Sequence, residues 1–215
     1  MKKYILTGAL VTCMLTACSE SSLPELDVYE SFEEIVAEEK AFSSQQEPLT
    51  ELEKKEKELY DEMISLGMKE QEQVKKVASR ASKVVSEREK RIEKEKKSID
   101  KSYYKSLELE AEIKKIEDQQ VKKEARKLII LMNERYVAYE NLYMFYKEGI
   151  ELDKELYALF QNEGVTLDEL EGQITEINNT YEKIINANEE FNRKTQEYNE
   201  KKQQFYKKVN NRNTN

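Results

Sequence analysis

Histidine and cysteine, the usual general base, thiol nucleophile and transition-metal ligands of proteins, are nearly absent from this 215-residue sequence. The chain contains no histidine, which removes the usual general base at neutral pH and the commonest transition-metal ligand. It contains two cysteines, Cys13 and Cys18, and both lie near the amino terminus. The chain after Cys18 therefore has no thiol for catalysis, for a disulfide or for a structural zinc site. We predict no catalytic residue, no metal site and no cofactor, and so no enzymatic function.

The segment that ends at Cys18 has the pattern of an export signal. Two lysines precede a run of apolar or small residues, 4–17, that carries no charge. This run is about 14 residues long, whereas a helix needs about 20 to span a bilayer, so it is typical of a secretory signal peptide. Its end, "LTAC" at 15–18, resembles the lipoprotein box of bacteria. In such a box the Cys18 thiol receives a diacylglyceryl group and cleavage follows Ala17. The alternative is an ordinary signal peptide with a cysteine at this position by chance.

These features predict the state of the mature protein. Two acyl chains hold a protein stably at a membrane where one chain does not, so a lipidated Cys18 would anchor the protein outside that membrane. Residues 18–23 would then be the lipidated cysteine and a short tether. Removal of residues 1–17, which contain two lysines and no acid, changes the net charge from −8 to −10. Such an acidic chain is a poor ligand for nucleic acid.

The composition predicts an all-α fold. Charged residues make up 37% of the chain, and only 5 glycines and 2 prolines are present to form turns. Apolar residues recur at three- and four-residue spacing through most of residues 24–209. We expect this part to form an elongated, antiparallel up-and-down bundle of three or four long helices with coiled-coil-like seams. The polar residues 210–215 are expected to be a frayed tail.

Capping and turn residues predict the first helix boundaries. Ser22 is the expected cap of a first helix, which "SSQQEP" at 43–48 should end. Pro48 suits the first turn of the next helix, in which Thr50 and Glu53 would form a capping box.

The middle of the chain has fewer stop signals. Gly67 lies where the apolar phase slips, which predicts a bend or a change in supercoiling. Residues 86–102 are nearly all charged, so we expect a solvated helix stabilised by pairs four residues apart. A further break is expected at "EDQQ", 117–120.

The C-terminal part has clearer signals. The sequence "NEGVT" at 162–166 predicts a helix-to-helix turn, and Thr166 and Glu169 form a further capping box. The last helix then keeps a heptad seam in phase over residues 167–209. Its seam residues are Leu167, Leu170, Ile174, Ile177, Tyr181, Ile184, Asn188, Phe191, Thr195, Tyr198, Lys202, Phe205 and Val209.

Four regularly spaced tyrosines are candidates for a sugar-stacking platform: Tyr136, Tyr139, Tyr143 and Tyr146. They occupy the seam positions themselves, and the sequence has no tryptophan, the favoured sugar-stacking residue. The preferred interpretation is that the rings fill an antiparallel seam while the hydroxyls reach its rim.

Polar residues also occupy seam positions in the last two helices. Asp153, Asn188, Thr195 and Lys202 could form a buried site, but such residues more often fix register and partner choice. Folding the helical hairpin would bring Lys202 close to Glu124, which would neutralise it.

Paired carboxylates are frequent, as in Glu33-Glu34, Glu38-Glu39 and Glu189-Glu190. Glycosidases need two carboxyl groups at a fixed separation in a cleft, whereas these acids are expected on solvated helix faces. The pairs therefore do not favour catalysis.

Several segments together resemble one bacterial family. They are "RYVAYENLYMFYKEGIELDKELY" at 135–157, "INNTY" at 177–181, "FNRKTQEYN" at 191–199 and "KKQQFY" at 201–206. The chain is thereby similar to the YkyA-like family of cell-wall binding lipoproteins of Gram-positive bacteria. The resemblance covers nearly the whole mature chain and implies an elongated helical bundle, anchored to the outer face of the cytoplasmic membrane, with no enzymatic role. It carries over one functional position, Cys18.

Two functions remain open. The first is an interaction protein that binds peptidoglycan or another wall polymer, or organises the envelope. The alternative is an accessory lipoprotein or chaperone that binds an exported or membrane protein through helical seams. The basic segments "KKVASRASK" at 75–83 and "KKQQFYKK" at 201–208 are candidate wall contacts, although the simpler interpretation is that they are solvated helix faces. No ligand-binding residue is assigned.

Overall fold

The computed structural model describes residues 23–67 and 70–213, and no strand occurs within these ranges. The helices are α1 (Pro24–Glu38), α2 (Lys40–Leu66), α3 (Gln71–Glu108), α4 (Glu110–Ile113), α5 (Gln119–Leu159) and α6 (Leu167–Asn213). In this described part of the chain, α2, α3, α5 and α6 are the long helices. The predicted all-α bundle is confirmed, and it has four long helices rather than three.

The long helices pack in chain order. α2 packs on α3, α3 on α5, and α5 on α6, and the connections reverse the chain direction between neighbours. α6 has 47 residues, which at 1.5 Å per residue makes it about 70 Å long. The result is an elongated up-and-down bundle with α3 and α5 at its centre.

The turn between α2 and α3 depends on Gly67. This residue ends α2 with φ 65° and ψ 177°, a conformation that residues with a Cβ rarely adopt. The sequence predicts only a bend or a change in supercoiling here, and that prediction is wrong. The chain reverses direction, so that α2 and α3 form a helical hairpin.

The caps of α5 and α6 agree with the sequence. Asp118 Oδ1 accepts hydrogen bonds from the backbone N–H groups of Gln120 (2.7 Å) and Val121 (2.9 Å), which confirms the break at 117–120. At the start of α6, the Thr166 N–H donates to Glu169 Oε2 (2.8 Å), and the Glu169 N–H donates to Thr166 Oγ1 (3.3 Å). The capping box predicted for the last helix is confirmed.

The break predicted at 43–48 is wrong. The interruption falls at Glu39, between α1 and α2, and Pro48 lies inside α2. The Thr50 hydroxyl donates to the Gln46 carbonyl (3.0 Å) and caps no helix. The buried side chains of α2, among them Leu49, hold the helix against α3, and this tertiary packing outweighs the local preference of the proline. The predicted cap Ser22 lies outside the described residues.

The expectation that residues 86–102 form a solvated helix is wrong for one face. The helix forms as part of α3, but α3 lies between α2 and α5 and also contacts α1. The face turned toward these neighbours is buried and includes charged and hydroxyl side chains. The buried residues of the segment are Arg88, Ile92, Glu95, Ser98, Ile99 and Ser102.

The α1 end of the bundle is closed, whereas the α2 part is open on one side. Phe32 of α1 meets Phe205 of α6 edge to face, with ring centroids 5.9 Å apart. Just past Glu39, Phe42 of α2 still meets Phe191 of α6, with ring centroids 5.8 Å apart. The rest of α2 packs on α3 and diverges from α6. This divergence leaves a cleft between α2 and α6.

Candidate functional site

The cleft between α2 and α6 has a volume of about 920 Å³, and its floor is formed by α3 and α5. Its walls are mainly apolar and include Phe42, Leu49, Leu142, Leu156, Ile174, Ile177, Ile184, Ile185 and Phe191. Exposed polar side chains line its mouth: Gln46, Thr50, Asn178, Asn188 and Asn192. Apolar walls, a few polar groups and a volume in this range are typical of small-molecule sites.

Arg88 lies at the floor of the cleft, with 1% of its side chain exposed. Its Nη1 donates to Glu56 Oε2 (2.5 Å) on α2 and to Asp153 Oδ2 (3.0 Å) on α5. Both carboxylates are themselves buried. A buried charge is tolerated only with such partners, because an uncompensated one is costly to remove from water.

Tyrosine hydroxyls add further hydrogen bonds to the charged groups of this cluster. Tyr157 donates to Glu56 Oε1 (3.0 Å), and Tyr181 donates to Asp153 Oδ2 (2.9 Å). Tyr146 accepts from Arg88 Nε (3.2 Å) and donates to Glu53 Oε1 (2.7 Å). Burial raises the pKa of all three hydroxyls, so they remain protonated donors.

The buried carboxyls of the floor have raised pKa values. Burial is the largest cause for Glu56 and for Asp153, and the Arg88 charge opposes it in both. Farther along the floor, burial raises the pKa of Glu95 to about 8. Glu95 accepts hydrogen bonds from Gln46 and, at 3.5 Å, from Tyr139. The floor can therefore take up protons near neutral pH.

One donor of the cluster has no acceptor. Arg88 Nη2 is buried, and no described residue accepts a hydrogen bond from it. An unmade hydrogen bond of this kind costs about 1–3 kcal/mol. The atom belongs to a side chain that lines the cleft.

A second buried arginine, Arg135, ties other helices together near the same cleft. It donates to both carboxylate oxygens of Glu39, at 2.7 and 3.0 Å, and through Nε to Thr195 Oγ1 at 2.9 Å. Its guanidinium also lies 5.1 Å from the ring centroid of Phe191. Because Glu39 is the residue between α1 and α2, this pairing fixes the point at which the two helices meet.

The rings of the four tyrosines fill the seam as predicted and form no exposed platform, but the hydroxyls of Tyr139 and Tyr146 lie inside the seam rather than at its rim. Tyr139 and Tyr146 are buried, and the Tyr136 ring stacks on Tyr103 with centroids 3.8 Å apart. The hydroxyls of Tyr136 and Tyr143 donate to Asp100 (3.0 Å) and Glu93 (2.8 Å) on α3. The rings therefore pack α5 on α3.

The polar seam residues do not form one site. Asp153 belongs to the Arg88 cluster, Thr195 accepts from Arg135, and Asn188 lies at the mouth of the cleft.

Lys202 lies in another part of the bundle, with its amino group 5.8 Å from the Tyr198 ring centroid. Burial lowers its pKa, and the acids that oppose this are Glu33 and Glu39. The pairing of Lys202 with Glu124 is not among the ion pairs of the described residues, and that prediction is wrong. The reason is that α1 packs on this part of α6 and supplies the acids.

Glu56, Arg88 and the cleft itself were not predicted from the sequence. The helical spacing of the sequence could have identified both residues. Arg88 lies four residues after Val84 and four before Ile92, and Glu56 lies four residues after Leu52 and three before Leu59. These spacings place both charges on the apolar stripe of an amphipathic helix. A charge in that position is a candidate for a buried ion pair.

The predicted lipidation site Cys18 and the cleavage site after Ala17 lie outside the described residues and remain predictions. None of the helices in residues 23–67 and 70–213 is both long enough and apolar enough to cross a membrane. Within the same residues, no cluster of three or more acidic or sulfur ligands is arranged to hold a metal ion.

The fold and the cleft define an elongated all-α bundle with a candidate binding site between two of its helices. The chain belongs to the YkyA family, described as "Putative cell-wall binding lipoprotein", which matches residues 23–208. It is 32% identical over 171 residues to the uncharacterized lipoprotein YkyA of Bacillus subtilis (strain 168), with 80% of this chain and 76% of that protein covered.

A solved structure has the same fold. It is the crystal structure of a conserved protein of unknown function from Staphylococcus aureus, with a TM-score of 0.71 and 20% sequence identity. The match covers 84% of this chain and 91% of that one. At this identity the likeness concerns the fold alone.

Proposed function

We propose that this protein is a lipid-anchored interaction protein of the Gram-positive envelope, held at the outer face of the cytoplasmic membrane, where it binds the cell wall and catalyses no reaction. The observation that carries the proposal is the match of residues 23–208 to a family described as wall-binding lipoproteins. Two features support it: the "LTAC" box that ends at Cys18, and the start of α1 at Pro24, a few residues later.

The bundle can act through reach and confinement. α6 alone is about 70 Å long, so the bundle extends well beyond the lipid headgroups when it stands upright on its tether. Anchoring confines the protein to a thin layer and raises its effective concentration at the inner surface of the wall. Weak contacts to a repeating polymer then add up to stable association.

Charge is a poor source of wall affinity for this protein. With a net charge of −10 after removal of residues 1–17, the protein is repelled by anionic wall polymers. The basic segment 75–83 is partly neutralised, because Lys75 pairs with Glu163 (2.7 Å) and Arg80 with Glu62 (3.3 Å). We therefore propose that hydrogen bonding to uncharged glycan supplies most of the affinity.

Sedimentation with purified, protein-free wall tests this proposal. The lipid-free bundle is mixed with the wall across a salt series from low to physiological ionic strength, at which exposed charges beyond about 8 Å are largely screened. We expect binding that changes little with salt. A steep loss with salt would assign binding to the basic segments, and no binding at any salt would contradict wall binding.

A protein-partner function is the second candidate, and one observation favours it. Ile130, Val137 and Met144 of α5 are exposed and lie seven residues apart, so they form an apolar stripe on one helix face. A helix of an exported or membrane protein could cover such a stripe. Failure to bind wall at any salt would make this the preferred function.

A further inference from the structure

We propose that the cleft between α2 and α6 is a binding site for a small amphiphile with an apolar body and one uncharged oxygen acceptor, such as an ester, amide or alcohol oxygen. The acceptor pairs with Arg88 at the floor of the cleft. This inference goes beyond wall binding and does not depend on it, because it rests on the cleft alone.

The walls determine the body of the ligand. The lining residues of α2 run from Phe42 to Tyr60, so at the helical rise per residue the cleft is about 27 Å long. Isoleucine side chains dominate the α6 wall, whereas the α2 wall presents Phe42, Leu49 and Tyr60 among polar residues. Ile185 at the mouth is 57% exposed. An apolar chain that fills the cleft removes this surface from water. A sugar would instead leave the hydroxyls on its α6 side facing isoleucine side chains without partners.

The unpaired donor determines the polar group. Arg88 donates through Nη1 and Nε to protein acceptors, whereas Nη2 has none among the described residues. A single oxygen of the ligand completes the arginine's hydrogen bonds. Nη2 is closed off from bulk water, so the oxygen reaches it after a flanking side chain of the cleft moves.

The charges of the floor favour an uncharged acceptor. Glu56 and Asp153 already face the Arg88 guanidinium, and Glu53 and Glu95 also line the cleft. Among the described residues that line the cleft, the one lysine, Lys57, is paired with Asp61 at 2.6 Å. A ligand anion would be a further negative charge among these carboxyls, and a ligand cation would face the buried arginine. An uncharged acceptor satisfies Nη2 and avoids both repulsions.

Three probes test which head group the cleft prefers. Each has one chain of 14 carbon atoms, and they differ only in the head group. They are monomyristoylglycerol, myristate and tetradecyltrimethylammonium, each added to the lipid-free bundle below its micelle concentration and followed by isothermal titration calorimetry. We expect one monomyristoylglycerol per chain and binding at least about tenfold weaker for the cation, which has no acceptor. Myristate should bind more weakly at high pH than at pH 6, since carboxyl groups of the floor must take up protons. Equal or tighter binding of the cation, or no binding of the glyceride, would overturn the proposal.

A matched pair of variants locates the site. Ile185→Glu places a charge at the mouth of the cleft, and Ile64→Glu places one at a similarly exposed position on α2 outside it (53% exposed). We expect about a tenfold loss of glyceride affinity in the first variant and no change in the second. Equal affinities in both variants would show adsorption to the general surface and overturn the proposal. Both positions are exposed, so neither change threatens the fold.

Discussion

Arg88 links four helices through one guanidinium group. From α3 it donates to Glu56 on α2, to Asp153 on α5 and to Tyr181 on α6. Only one axial alignment of these helices satisfies all of the contacts at once. The cluster therefore fixes the register of the bundle as well as the floor of the cleft, which is the role expected of a polar residue in a seam.

Arg88→Met should destabilise the bundle by about 3–5 kcal/mol, because it leaves two buried carboxyls without their cation. The exposed arginine Arg80, which pairs with Glu62, is the matched control, and Arg80→Met should cost less than about 1 kcal/mol. Urea unfolding at pH 7, followed by circular dichroism, measures both. A similar small loss in the two variants would show that the cluster does not hold the helices together.

Glu95 should make stability depend on pH. Burial raises its folded-state pKa to about 8, above the ordinary value of 4.5 that applies in the unfolded chain. Between these two pH values the folded state binds a proton that the unfolded chain has lost. The contribution of Glu95 to stability is therefore fully present below about pH 4.5 and is lost as pH rises through 8.

Glu95→Gln keeps a neutral side chain of similar shape at all pH values. We expect this variant to flatten the decline in urea midpoint between pH 5 and pH 8 and to be more stable than the wild type at pH 8. An unchanged pH profile would mean that Glu95 is ionised in the folded protein at low cost.

The parts of the Arg88 cluster could be located from the sequence, but not their pairing. Helical spacing places Arg88 and Glu56 on apolar stripes, and it places Asp153 in a seam. The partners are 32 and 65 residues from Arg88 along the chain. Periodicity shows which face of a helix is buried, but the axial offset between helices depends on all their contacts together. The cleft, which arises from the divergence of α2 and α6, is invisible to local patterns for the same reason.

At the scale of the helices, local signals succeed where local hydrogen bonds decide the structure. The Thr166–Glu169 box and the Asp118 cap are made by residues two or three positions apart, and both helices start as the sequence predicts. Pro48 is a strong local signal that fails, because the packing of α2 on α3 continues past it. The glycine at position 67 indicated that the helix changes there, but the sequence did not show that the chain reverses direction.

Gly67→Ala should destabilise the protein by about 1–3 kcal/mol through backbone strain alone, because φ is 65° and no atom lies within 4 Å of the added Cβ. Gly172 has the same open space but lies inside α6 with ordinary helical geometry. Gly172→Ala should therefore stabilise the protein, by about 0.5–1 kcal/mol. Thermal unfolding of the two variants compares them. A stabilising effect at both positions would contradict the strained turn.

At the scale of the whole molecule, three features lie along one chain: a predicted anchor, an elongated bundle and a cleft. The all-α class followed from the sequence, because few turn residues and sustained three- and four-residue spacing leave no alternative architecture. The sequence did not predict the pairing of α1 with α6, which closes one end of the bundle and leaves the cleft at the other. The anchor is the feature on which the proposed place of the protein in the envelope depends.

Lipid labelling of Cys18→Ala cells tests that placement most directly. The protein, Cys18→Ala and the control Cys13→Ala are expressed in Gram-positive cells fed a labelled fatty acid, and the membrane and secreted fractions are compared. We expect label and membrane retention for the wild type and for Cys13→Ala, since Cys13 lies in the segment that is predicted to be removed. Cys18→Ala should carry no label and should be uncleaved in the membrane or shed. Normal lipid labelling of Cys18→Ala would contradict the account.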